Sequence, residues 1–353
     1  MKKIFNPPLS VFCILFFFSL LVSGCASTPT APHTITILTH DSFAIGEEVI
    51  KSFEADNNAK VLFLQSGDAG AVLNQAILTK DAPLADILFG VDNTFLSRAL
   101  DADIFEDYPS PVLQEIPDEF KLDPSNRALP VDYGDVCINY DKKYFADKGL
   151  EIPQSLEDLK KTDYKNLLVV ENPATSSAGL AFLLVTRAHF GDRYLDYWKS
   201  LKENGVVVVD GWETAYYTNF SGSSGRGPQP MVISYGSSPV AEVIFADTPP
   251  INSPTASIVE MGTCFRQIEF VGILKGTQNR ALAEKFVDFM LSKQFQEDMP
   301  LQMFVYPLNQ NAVMPEAFIK YAQFPDEPAV ISPDEISANR DAWIEAWTSV
   351  MMK

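Results

Sequence analysis

The chain has 353 residues and carries 27 lysines and arginines against 46 aspartates and glutamates, a net charge of −19. So acidic a surface argues against nucleic acid and anionic membrane surfaces as partners, because both repel it. Apolar residues make up 46%, ordinary for a globular protein, and the length suffices for two lobes with a core each.

Residues 1–24 read as a leader outside the fold. Lys2 and Lys3 form a basic n-region, 11–22 a short apolar stretch, and Ser23-Gly24 a small-residue cleavage site. The apolar run falls short of the roughly 20 residues that a membrane span needs. Leu21-Val22-Ser23-Gly24-Cys25 has the form of a bacterial lipobox, with cleavage before Cys25 and lipid on its thiol. Losing Lys2 and Lys3 takes the net charge from −19 to −21. The polar, proline-broken stretch that follows suits a tether, assigned to 25–32.

From residue 34 strands and helices alternate. Residues 34–39 are β-branched and strand-like, and 47–56 place Val49, Ile50 and Phe53 on one helical face. A strand at 61–64, a helix at 71–80, a strand at 85–89 and a helix capped by Asp92-Asn93 complete the series. Such alternation implies a mainly parallel α/β sheet, since parallel strands need crossovers. Polar residues follow each strand, namely His40-Asp41-Ser42, Ser66-Gly67-Asp68 and Asp92-Asn93, and should line one crevice.

Residues 129–141, LPVDYGDVCINYD, have no following crossover and suggest a strand leaving the first lobe. A second α/β unit opens at 151–159, its helix started by Pro153 and Ser155. After a strand at 167–170, Thr175-Ser176-Ser177 precede a helix beginning near Gly179. This is either plain capping or capping plus an anion site. In 205–239 two apolar strands, 206–209 and 231–234, are each followed by aromatics and hydroxyls, including Trp212, Tyr216, Tyr217 and Tyr235. That placement suits half of a ligand clamp. Residues 264–274 look like the return strand, 281–291 an amphipathic helix, 302–309 a third crossing, and 333–351 a closing helix whose Trp343 and Trp347 are spaced for packing.

Four cysteines are present: Cys13 leaves with the leader and Cys25 is the lipid site. Cys137 and Cys264, on strand-like segments expected to be neighbours, are either a disulfide or two buried thiols. There is no G-x-S-x-G, H-E-x-x-H, G-x-G-x-x-G or P-loop, and Glu260 and Glu269 lack a companion base, so no enzyme is expected.

The stretches THDSF, LFGVDN, PVDYG, ENPATSSAGL, DGWETAYYTNF, ISYGSSP, EKFVDFMLSKQFQEDMP and FVYP, in that order, resemble the thiamine-binding proteins of ABC transporters over nearly the whole mature chain. The resemblance implies a periplasmic-type two-lobe fold, each lobe a mainly parallel sheet flanked by helices and joined by crossing hinge strands. It also implies closure on thiamine or its phosphates, delivery to a membrane permease and ATPase, and no cofactor or metal. Its aromatic cage maps best onto Trp212 and Tyr235, with Tyr216 matching and Phe304 standing where the family can have tryptophan. Asp41, Asp92 and Asp132 would offset the cationic ring or bind the pyrimidine amine. Ser176, Ser177 and Gly179 would meet hydroxyl or phosphate. Ser42, Tyr133 and Ser238 belong to the same matching stretches. Two aromatics are missing: no tryptophan shortly follows DSF, and Ala241 stands where a tyrosine is expected. A thiamine precursor is therefore an alternative ligand. Ferric ion is another, because adjacent phenols such as Tyr216 and Tyr217 suit hard Fe³⁺, with His40 as a further donor. The expected lobes are 33–133 with 266–305, and 134–265 with 306–353, in an exported, lipid-anchored monomer.

Overall fold

The computed structural model describes residues 32–224 and 226–353; the leader and the Cys25 lipobox lie outside the described residues. The chain opens as β1 (His33–Thr39), α1 (Glu47–Asn57), β2 (Ala59–Gln65), α2 (Ala69–Leu78), β3 (Ile87–Asp92), α3 (Leu96–Asp101) and β4 (Phe105–Glu106). The long β5 (Leu129–Asp141) follows, then α4 (Lys142–Lys148), β6 (Leu168–Glu171), α5 (Ser177–Phe190), α6 (Tyr194–Glu203) and β7 (Val207–Val209). Next come β8 (Met231–Tyr235), α7 (Ser238–Ile244), β9 (Thr255–Ile258), β10 (Phe265–Leu274), α8 (Arg280–Leu291) and α9 (Lys293–Gln302). The chain closes with β11 (Tyr306–Pro307), α10 (Glu316–Tyr321) and α11 (Pro333–Met351).

Local chemistry explains the boundaries. Glu47 and Glu48 meet the positive end of α1, and Asn58 closes that helix in the left-handed conformation. The Ser176 side chain caps α5, and Ser332 caps α11 just before its Pro333. The segment 151–159 differs from its helical expectation. Only single 3₁₀ turns form, at Asp158–Lys160 and Thr162–Tyr164, because Leu156 and Leu159 bury at a spacing of three and Pro153 leaves no room for a preceding turn. Among the described residues no helix is long and apolar enough to cross a membrane.

The strands form one sheet in the order β2-β1-β3-β10-β5-β8-β6-β7, with β4 on β10 and both β9 and β11 on β5. Pairing is parallel at the two ends, β2-β1-β3 and β8-β6-β7, and antiparallel in the middle. The reason is connectivity: β5 and β10 run between the halves rather than returning by a helical crossover. The first half of β5 pairs with β10 and its second half with β8 and β9. Cys137 and Cys264 lie at this junction and are joined by a disulfide with Cα atoms 4.4 Å apart, the spacing of a non-hydrogen-bonded antiparallel pair.

One core packs Ile35, Ile37, Phe53, Phe286, Met290 and Phe295 beneath the β2-β1-β3 end. A larger one includes Leu38, Leu88 and Phe95 at that same end and runs on along the rest of the sheet, with Trp198 and Trp347 in edge contact at 5.4 Å. The buried Trp198 indole donates to Thr186 Oγ1 at 2.9 Å, which satisfies its one polar atom.

Candidate functional site

A cavity of about 290 Å³ opens between the two halves, beyond the carboxyl end of β1. One wall comes from 40–44 after β1, Asp68 and Ala69 at the start of α2, Glu269 on β10, and 302–305 after α9. The other comes from Ser177 and Ala178 at the start of α5, from Trp212, Glu213 and Tyr217, and from Tyr235 and Phe245 flanking α7.

Trp212 anchors the second wall. Its ring lies on Tyr216 at 5.0 Å with a 16° interplanar angle, and its indole N–H donates to Ser234 Oγ at 2.9 Å. A π-helical turn, Thr214–Asn219, widens the backbone here and sends Tyr216 inward while Tyr217 stays at the cavity, edge-on to Trp212 at 5.5 Å. Such turns recur at functional sites. Tyr235 donates its hydroxyl hydrogen to Gln267 Oε1 at 3.1 Å, and Gln267 Nε2 donates to Ser177 Oγ at 2.7 Å. Phe304 has φ of +58°, uncommon for a bulky residue, and meets the exposed Phe245 edge-on at 5.4 Å.

The electrostatics are strongly one-signed. Asp41, Asp68, Glu213 and Glu269 line the cavity, and among the described residues no lysine or arginine does. Burial, then Asp68, raises the pKa of Asp41; burial, then Asp41, raises that of Glu213. Beneath them Glu269 faces Asp132 across β10–β5 and Asp92 across β10–β3, so three carboxylates stand in a row on one sheet face. Burial pushes Asp92 up to about 7 and Asp132 well above the carboxylate range, with Glu269 adding to both. The His40 imidazole lies 3.4 Å from Glu269 through Nε2.

The walls touch. Gly70 N–H donates to the Thr175 carbonyl at 3.0 Å, and the Ser237 hydroxyl donates to the Phe304 carbonyl. Asp68 receives the Trp212 N–H at 3.0 Å and the Ser177 N–H at 3.4 Å, so a carboxylate occupies the N–H groups at the start of α5.

Of the residues singled out from sequence, Asp41, Ser42, Ser177, Trp212, Tyr235 and Phe304 line this cavity. Asp92 and Asp132 lie fully buried beneath it. Ser176, Gly179, Tyr216 and Ser238 are one layer back. Ser176 caps α5, Gly179 lets that helix approach the Glu171 carbonyl, where a Cβ would sit at 2.5 Å, and Ser238 Oγ pairs with Ser234 Oγ at 2.8 Å. The Tyr216 hydroxyl donates to Glu242 Oε1 at 2.9 Å. Tyr133 departs from expectation altogether: successive strand residues point to opposite faces, so Asp132 faces the cavity and Tyr133 turns away. Its ring stacks on Tyr306 at 5.0 Å in a separate groove of about 500 Å³. Sequence reasoning passed over Phe43, Glu213, Glu269 and Phe245. For Glu269 a signal existed, a carboxylate at an inward position of the otherwise apolar run that ends β10.

With this geometry in view the likeness to known proteins is informative. Residues 82–327 match the family described as bacterial extracellular solute-binding protein. The chain belongs to that family. A thiamine-binding periplasmic protein of Salmonella typhimurium is 31% identical over 330 residues, covering 92% of this chain and 95% of the relative. The solved structure of a periplasmic thiamin binding protein has a TM-score of 0.79 at 27% identity, covering 91% of this chain and 97% of that one. A ferric binding protein from Campylobacter jejuni reaches 0.71 at 19% identity, covering 90% and 99%, which shows the fold alone. The fold of this solute-binding protein is thus the two-lobe α/β type, each lobe carrying one parallel end of the sheet, with β5 and β10 as the crossing strands and the cavity between the lobes.

Proposed function

We propose that this solute-binding protein is the extracytoplasmic component of an ABC importer that closes on thiamine and delivers it to the permease and its ATPase. The observation that carries this reading is the cavity itself, walled by aromatic rings and four carboxylates, with no lysine or arginine among the described residues that line it. A flat ligand with a permanent positive charge gains from both, each aromatic face contributing roughly 0.5–2 kcal/mol once desolvated. Catalysis is not part of the reading, and the relatives that match are solute-binding proteins. Export with lipid on Cys25, and a monomer tethered by 25–32, complete the proposal. The lobes divide as 33–133 with 266–305 and 134–265 with 306–353, and ligand shifts them toward closure because only the closed form offers both walls.

A ferric site is disfavoured. The Tyr216 hydroxyl is committed to Glu242, Tyr217 stands at 85° to it, and burial pushes Tyr217 up to about 12 and Tyr216 well above the phenol range, the reverse of what a phenolate ligand needs. Phe245 and Tyr217 line the same cavity, which supports reading them as stand-ins for the missing cage aromatics. Phe245→Ala is expected to lower thiamine affinity about two- to fivefold, the value of one exposed cation–π face. Equal affinity in titration would remove Phe245 from the cage.

The reading itself is tested by isothermal titration of the soluble chain from Ala26, stripped of ligand and refolded, with thiamine and its mono- and diphosphate. Submicromolar binding of at least one is expected. Native circular dichroism with no heat from any of them overturns thiamine as the ligand.

A further inference from the structure

We propose that His40 is the internal counter-cation of this site, and that a cationic ligand takes over its role opposite Glu269 and drives its proton into solvent. The inference rests on the thiamine reading and adds to it a charge-exchange step that selects cations over neutral solutes.

The geometry comes first. His40 is buried, with Nδ1 2.8 Å from Ser42 Oγ and Nε2 3.4 Å from Glu269 Oε1. Phe43 and Phe89 pack around its ring at 6.5 and 5.8 Å, and Gly90, at φ +99°, leaves the space beneath it: a Cβ there would lie 2.3 Å from the imidazole. Among the described residues the charged groups facing His40 are all acidic: Asp41 on its own segment, Asp68 before α2, Glu213 in the opposite lobe and Glu269 on β10. Glu269 is in turn the middle of the buried row with Asp92 and Asp132, on strands about 4.8 Å apart. Both Asp132 oxygens and Asp92 Oδ2 lack a hydrogen-bond donor. Such a row cannot ionise fully without a cation beside it.

In the empty site that cation is the imidazolium. Burial works against the charge, but Glu269, Asp68 and Asp41 outweigh it and hold the His40 pKa above its ordinary 6.5. A permanent cation entering the cavity neutralises the same carboxylates and repels the imidazolium. The ring then loses one N–H proton to buffer and stays as the neutral hydrogen-bond partner of Ser42. The complex holds fewer protons than the free protein, so affinity rises with pH through the range where free His40 is charged, and ligand lowers the His40 pKa by the same linkage. Protons lost from the carboxylate row would act in the same direction, and the His40 variant separates the two sources. A neutral molecule of similar shape gains nothing from this exchange.

The experiment is titration of the soluble chain with thiamine at pH 7 in phosphate and in Tris, whose ionisation enthalpies differ, with Gly90, Ser42 and all cavity residues native. About half to one proton is expected to leave per thiamine, with less than a third of that in His40→Gln and in Glu269→Gln. Affinity should rise severalfold between about pH 6 and 8 in the native protein and stay flat in His40→Gln. Tight binding with buffer-independent heat, or unchanged proton release in His40→Gln, overturns the inference; a merely structural His40 would lower affinity equally at every pH. Absence of any thiamine heat overturns the thiamine reading instead. His40 can then be followed directly, since the chain has three histidines and its resonance is the one lost in His40→Gln: if that resonance titrates below 6.5 in the ligand-free protein, the counter-cation is ruled out on its own.

Discussion

Trp212→Ala is expected to weaken thiamine binding more than tenfold, a loss above about 1.4 kcal/mol. The indole is the largest flat surface on the cavity, and it is fixed before ligand arrives, by its stack on Tyr216 at 5.0 Å and its hydrogen bond to Ser234. Little ordering cost is therefore left for the binding step. Alanine removes a cation–π face of roughly 0.5–2 kcal/mol together with the apolar contact of a whole ring. The backbone N–H of residue 212 would still reach Asp68, so the contact between the lobes survives and the effect isolates the ring. Trp212→Phe keeps a face but leaves Ser234 Oγ without the indole donor, and about a threefold loss is expected. Titration calorimetry reads both, and unchanged affinity in the alanine variant removes Trp212 from the site.

Loss of the Cys137–Cys264 disulfide, in a double alanine variant, is expected to lower stability by about 4–5 kcal/mol. The bond closes a loop with a sequence separation of 127, near the long end of the range in which loop-closure entropy scales with the logarithm of length. It also ties β5 to β10 where both pass between the lobes. Urea unfolding followed by tryptophan fluorescence measures the change in midpoint and slope. An unchanged midpoint would mean that strand pairing alone restrains the unfolded chain as well as the bond does. Neither cysteine lines the cavity, so thiamine affinity of the folded variant should stay within about threefold of native.

Much of the fold was legible because it is written in short-range patterns. The strand and helix rhythm, the tryptophan spacing in α11 and the unbroken run of β5 all depend on residues within one element. The site was legible in part for the same reason: polar and aromatic residues placed just after strand ends are local features, and Asp41, Trp212 and Tyr235 meet at one cavity. Where local pattern misleads, the cause can be named. A helix expected at 151–159 became 3₁₀ turns because packing of Leu156 and Leu159 set the spacing.

The sequence by itself determined the alternating α/β elements, the two crossing strands, the cysteine pair as candidates for a bond, and the stretch holding Trp212 and Tyr235. Tertiary structure alone decided which of two neighbours faces the cavity. Asp132 and Tyr133 differ by one residue, and only the pairing of β5 with β10 and β11 assigns their faces. It likewise made Glu269 the centre of a buried row, since Asp92 and Asp132 reach it through strand register. Phe245 acquired its place only when distant segments met across the cleft. Backbone periodicity acts over a few residues, whereas register and lobe contact join residues far apart in the chain, and no local pattern encodes that geometry.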